Sequence, residues 1–64
     1  MILPQTYQDS YRRIEPTADR NEWKVFFRYY STWVHCGTMT FNEAISKPRD
    51  WYSYQRREYI LSRV

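Results

Sequence analysis

His35 and Cys36 are the residues of this chain best equipped for nucleophilic chemistry, and they are adjacent. A thiolate nucleophile needs a base within hydrogen-bond reach and a third group to orient that base. The run Trp33-Val34-His35-Cys36 is rich in aromatic and β-branched residues, which predicts a strand, and neighbouring side chains on a strand point to opposite faces. This argues against a Cys-His dyad; the run reads as a half-exposed histidine beside a small buried cysteine. The carboxylates Asp9, Glu15, Asp19, Glu22, Glu43, Asp50 and Glu58 are scattered singly, so no spacing sets up an acid and base pair. One Gly is too few for a glycine-rich phosphate loop, and one His with one Cys leaves a four-ligand zinc site short of donors. The expectation is a protein that is not an enzyme and uses neither metal nor cofactor.

The chemistry of binding is better represented. Eight of the ten basic residues are arginine: Arg12, Arg13, Arg20, Arg28, Arg49, Arg56, Arg57 and Arg63. Arginine offers a planar fork of five donors, stacks on rings and is weakly hydrated, so it suits contact surfaces. Between Lys47 and Arg63 five basic residues face two acidic ones, which equals the net charge of +3 for the whole chain. Tyr and Trp, which join Arg as the types enriched at interface hot spots, number seven and three. A small core cannot hide all of them. Trp51, Tyr52, Tyr54, Arg56 and Arg57, with Arg63, are therefore expected to form an aromatic and cationic patch suited to an acidic protein partner. A second candidate lies in Trp23 to Tyr30. If Trp23, Val25, Phe27 and Tyr29 face the core, Lys24, Phe26, Arg28 and Tyr30 form a row on the open face. Two rings interleaved with two cations would stack bases beside phosphate-pairing groups, as single-strand binders do.

These surfaces need elements to carry them. At 64 residues the chain allows one domain, residues 1–64, with 1–5 expected to be loose. Tyr7, Tyr11 and Ile14 fall at i, i+4 and i+7 after Thr6, which predicts a two-turn helix ending at Glu15-Pro16. Trp23 to Tyr30 alternates and is the strongest strand; it forms an antiparallel hairpin with Trp33 to Cys36, which Gly37 closes. Thr40-Phe41-Asn42-Glu43 is a capping box that starts a helix at Phe41. Pro48 removes the amide that would bond the Ala44 carbonyl, so this helix ends near Ser46, or breaks and resumes with Pro48 at its first position. Tyr59-Ile60-Leu61 with Val64 suits a terminal strand from about Glu58, the alternative being one helix from Pro48 to Ser62. The fold class is α+β: a β-hairpin and a C-terminal strand packed on one short helix, with an N-terminal helical turn.

From Trp23 onwards, the order strand, strand, capped helix, last strand resembles small phage-encoded host-takeover proteins. Thr40-Phe41-Asn42-Glu43-Ala44-Ile45 at the helix start and Tyr59-Ile60-Leu61-Ser62-Arg63-Val64 at the end carry the likeness. It is nearest to the small inhibitors of bacterial RNA polymerase from podoviral coliphages. The resemblance covers residues 22–64 and implies that Arg63, followed by Arg56 and Arg57, meets an acidic groove of the polymerase. Pro48 and the helical N-terminal third depart from that pattern. The function expected is non-enzymatic inhibition of a larger host protein with an acidic surface, such as RNA polymerase. Single-stranded nucleic-acid binding through Lys24, Phe26, Arg28 and Tyr30 is the alternative, and self-assembly through exposed aromatics a third. No unbroken apolar run exceeds three residues, so no membrane segment is expected and the chain reads as soluble and intracellular, while the resemblance implies the host cytoplasm.

Overall fold

Alternation of apolar and polar residues in Trp23 to Tyr29 builds the central strand, with Val25 and Phe27 fully buried and Lys24 and Arg28 exposed. The computed structural model describes residues 5–63. Its elements are β1 (Tyr7–Gln8), β2 (Arg12–Pro16), β3 (Trp23–Tyr29), β4 (Thr32–Met39), α1 (Phe41–Ser46) and α2 (Arg49–Ser62). The strands form one antiparallel sheet in the order β1-β2-β3-β4, so the protein is α+β with a four-stranded meander. Of the segment expected to be loose, only Gln5 lies within the described residues.

The N-terminal helix predicted from Tyr7, Tyr11 and Ile14 is instead the hairpin β1-β2, in which Tyr7 pairs directly with Ile14. Asp9 makes the turn. Its Oδ1 accepts from the amides of Tyr11 and Arg12, both at 3.1 Å, and its own amide donates to the Arg12 carbonyl at 3.0 Å. Arg12 is buried at this turn, where its Nε donates to Asp9 Oδ2 at 2.8 Å and its Nη1 to the Ile45 carbonyl at 3.2 Å. The rings of Tyr7, Tyr11 and Tyr52 surround the guanidinium with centroids 5.3, 5.0 and 5.6 Å from its carbon.

The hairpin β3-β4 turns through Tyr30-Ser31, and Tyr30 has φ 57°. Pairing runs Tyr29 with Thr32, Arg28 with Trp33 and Phe26 with His35, then shifts by one residue so that Val25 faces Gly37. Cys36 is the extra residue of this bulge. Gly37 therefore lies inside β4 rather than closing it, and the strand runs on to Met39. Cys36 packs against the core with its Sγ donating to the Val25 carbonyl at 3.4 Å, while His35 is exposed on the other face.

The capping box forms as predicted: Thr40 Oγ1 accepts from the Glu43 amide at 3.2 Å, and the Thr40 amide reaches Glu43 Oε1 at 3.4 Å. α1 ends at Ser46 and Pro48 caps a second, longer helix. The strand expected from Glu58 does not form among the described residues, where this segment is the last turns of α2; Val64 lies outside them. The core is small, consisting of Ile14, Val25, Phe27, Ala44 and Tyr52. Aromatic contacts extend it: Trp23 packs on Phe41 at 5.0 Å, and Tyr59 meets Phe27 and Tyr29 at 5.6 and 5.2 Å. Both helices thus cover the β3 face that carries Trp23, Val25, Phe27 and Tyr29.

Candidate functional site

Among the described residues the opposite face of the sheet carries no helix. The register places Lys24 between Glu15 and Thr38, Phe26 between Arg13 and His35, and Arg28 beside Trp33. The Phe26 ring is half-buried and meets the His35 ring at 5.3 Å, tilted by 51°. Arg13 Nε donates to Glu15 at 2.6 Å, so one cation of the face is already compensated. Lys24 and Arg28 form no ion pair among the described residues.

Three of the four residues predicted for an open-face row, Lys24, Phe26 and Arg28, thus share that face. Tyr30 does not, because β3 ends at Tyr29 and the chain enters a left-handed turn conformation. Its ring packs edge-on against Tyr29 at 4.7 Å, on the helix side. Arg13, Trp33 and His35 join them there beside Glu15 and Thr38, and sequence reasoning missed these three. A two-residue turn at Tyr30-Ser31 fixes Arg28 opposite Trp33 and Phe26 opposite His35, so assuming that turn would have found two of the three.

The C-terminal patch is divided by the helix. Tyr52 is only 2% exposed and belongs to the core, which corrects its assignment to a contact surface. Trp51 is half-buried, edge-on to Tyr52 at 4.9 Å and under the Lys47 ammonium. Arg56 lies over the rings of Tyr29 and Tyr30, 5.3 and 5.6 Å from their centroids, and the Arg63 Nη1 donates to the Tyr59 hydroxyl at 3.0 Å. Only Tyr54 and Arg57 of the predicted set point outward together, three residues apart on α2 and followed one turn later by the exposed Leu61.

Burial acts on two groups near these surfaces. It opposes the charge on Asp9, but the Tyr11 amide, the Arg12 side chain and the Tyr7 hydroxyl outweigh it and hold the carboxyl below its ordinary value. For Cys36 nothing offsets burial, and the thiol is pushed up to about 11. Among the described residues no three His, Cys, Asp or Glu side chains converge as metal ligands, and no helix is long and apolar enough to cross a membrane.

The chain matches no known protein family, and neither a characterised protein nor a solved structure is significantly similar to it. Its surfaces must therefore be read from their own chemistry. The bare sheet face offers flat rings and cations at fixed strand spacing. The outer side of α2 offers one exposed Tyr-Arg-Leu stripe.

Proposed function

We propose that this protein is a binding module that takes single-stranded nucleic acid on the bare face of its sheet. The observation that carries the reading is the cross-strand arrangement of Phe26 beside His35 and Trp33 beside Arg28 on a face that neither helix covers. Rings on a rigid strand present their faces to bases at little entropic cost, and Lys24 and Arg28, which form no ion pair among the described residues, meet the backbone phosphates. A modest net charge of +3 fits a short strand of a few nucleotides rather than a long duplex. The test is tryptophan fluorescence during titration with a short oligothymidylate at low salt. Quenching that disappears in Trp33→Phe, and weakens as salt rises, is expected. An emission spectrum that the oligonucleotide leaves unchanged at low salt removes the reading.

A second reading keeps the inhibitor expectation and rests on α2. Tyr54 and Leu61 are 57% and 60% exposed and lie on one side of the helix with Arg57. Such a stripe suits a groove with an acidic rim on a larger host protein. Added to purified bacterial RNA polymerase, the wild-type protein should reduce transcription, and the Tyr54→Ala, Arg57→Ala double variant should not. Equal transcription with and without the wild-type protein counts against this reading for that partner.

A further inference from the structure

A cavity of about 290 Å³ lies where the β1–β2 and β3–β4 turns meet the first half of α2. Arg28, Arg49 and Arg56 all line it, together with Ser10, Ser53 and Tyr30, and among the described residues no carboxylate does. Among the described residues none of the three arginines forms a salt bridge. Each is nevertheless held in place. Arg28 Nε donates to the Tyr30 carbonyl at 2.8 Å, Arg49 lies 5.4 Å from the Tyr11 ring centroid, and Arg56 lies over Tyr29 and Tyr30. A ring positions a guanidinium without consuming its N–H donors, so most of the donors of three arginines remain available.

The wall of the cavity also holds the one non-glycine residue with positive φ among the described residues, Tyr30 at 57°. Tyr30 takes this conformation as the first residue of the two-residue β3–β4 turn, which holds its ring at the cavity wall. Three cations gathered without a counter-charge repel each other, and an anion relieves that repulsion. Two serine hydroxyls on the same wall add donors.

We propose that this cavity binds a terminal phosphate of the single strand that lies on the sheet face, and the choice of ligand rests on that reading of the face. A phosphomonoester carries about −1.5 to −2 charges at neutral pH, which suits three guanidiniums better than the single charge of an internal phosphodiester. Continuity supports the same ligand. Arg28 follows Phe26 along β3 and also lines the cavity, whose other walls, Phe27, Tyr52 and Arg56, are on the helix side, so a strand stacked on Phe26 and Trp33 reaches the arginines by passing around the β3–β4 turn.

The experiment compares hexathymidylate bearing a terminal phosphate with the same oligonucleotide ending in hydroxyls, following backbone amide shifts of the whole protein by NMR. The phosphorylated form is expected to bind about tenfold more tightly or better, the effect of one added charge-assisted contact, and to move the amides of Ser10 and Ser53. Inorganic phosphate alone should move the same two amides. In Arg49→Gln, Arg56→Gln the preference should vanish while the hydroxyl form still moves Lys24 and Phe26. Equal affinity of the two oligonucleotides in the wild-type protein, with Ser10 and Ser53 still, overturns the proposal and needs no variant to fold. If phosphate moves Ser10 and Ser53 but no oligonucleotide moves Lys24 or Phe26, the sheet-face reading falls and takes the nucleic-acid ligand with it, leaving an anion site. Tighter binding of a phosphotyrosine peptide than of the phosphorylated oligonucleotide overturns the choice of partner.

Discussion

The Tyr52 hydroxyl donates a 2.6 Å hydrogen bond to the Ala44 carbonyl, tying the first turn of α2 to the end of α1. Pro48 lacks the amide that would have met this carbonyl had one helix continued, and the phenol supplies a donor in its place. The Lys47 amide also reaches Ala44, at a longer 3.3 Å. Tyr52→Phe should therefore cost only about 1 kcal/mol, because the carbonyl keeps one partner. Tyr52→Ala should cost about 3–5 kcal/mol by emptying the centre of the core. Urea unfolding measures both, and a Phe variant as stable as wild type would show that the bridge contributes nothing.

The pair Asp9 and Arg12 should make stability depend on acid. The folded carboxyl sits below its ordinary value of 3.8, since burial is outweighed by the Tyr11 amide and the Arg12 and Tyr7 side chains. A depressed carboxyl contributes stability that is complete above the unfolded value and is lost as pH falls through the folded one. Stability should hold from neutral pH down to about 4 and drop below it, and Asp9→Asn should flatten that drop. Arg12→Met should cost about 2–3 kcal/mol at neutral pH, less than the loss for a fully buried pair because Asp9 keeps some contact with water. Identical acid unfolding curves for wild type and Asp9→Asn would refute the linkage.

Signals confined to one element were legible in the sequence, and those that depend on which element packs on which were not. Thr40 to Glu43 is a local hydrogen-bond circuit and the alternation of β3 needs only its own strand, so both formed as read. Tyr7, Tyr11 and Ile14 match a helical period because a tight hairpin brings its ends together: Tyr7 pairs with Ile14, and Tyr11 lies at the turn between their strands. At the C-terminus Trp51, Tyr54, Glu58 and Leu61 recur at helical spacing but are mostly the outward side of α2. The inward side is Tyr52, Arg56 and Tyr59, and an arginine in the middle of it disguised the pattern. Its cation covers Tyr29 and Tyr30, a use of charge that hydropathy does not register. The candidate site was half legible for the same reason: Lys24, Phe26 and Arg28 come from one strand, whereas Trp33, His35 and Arg13 join them through register.

Cys36 should be chemically silent in the folded protein. Burial pushes its thiol up to about 11, and Sγ is engaged with the Val25 carbonyl. Only the thiolate attacks disulfide reagents, so labelling near pH 8 should be at least about tenfold slower in the native protein than in urea. The sign of the pH effect on folding follows. Between the ordinary value of 9.0 and about 11 the unfolded thiol ionises while the folded one stays protonated, so stability should fall as pH rises through that window. Native labelling as fast as in urea would place the thiol at the surface.

Salt dependence and stacking should separate on the sheet face. For a single strand, log K falls with log salt by about 0.7 per phosphate neutralised. Lys24 has no carboxylate partner among the described residues, so Lys24→Gln should reduce the slope by about 0.7. Arg13 is already paired with Glu15 at 2.6 Å, and Arg13→Gln should change the slope far less. Phe26→Ala removes a ring and no charge, so it should weaken binding by about 1–3 kcal/mol while leaving the slope as it was. Because Phe26 lies outside the core cluster, the fold should survive this change. Unaltered affinity in Phe26→Ala, together with a slope that responds to Arg57→Gln and not to Lys24→Gln, would place the strand on the outer side of α2 instead.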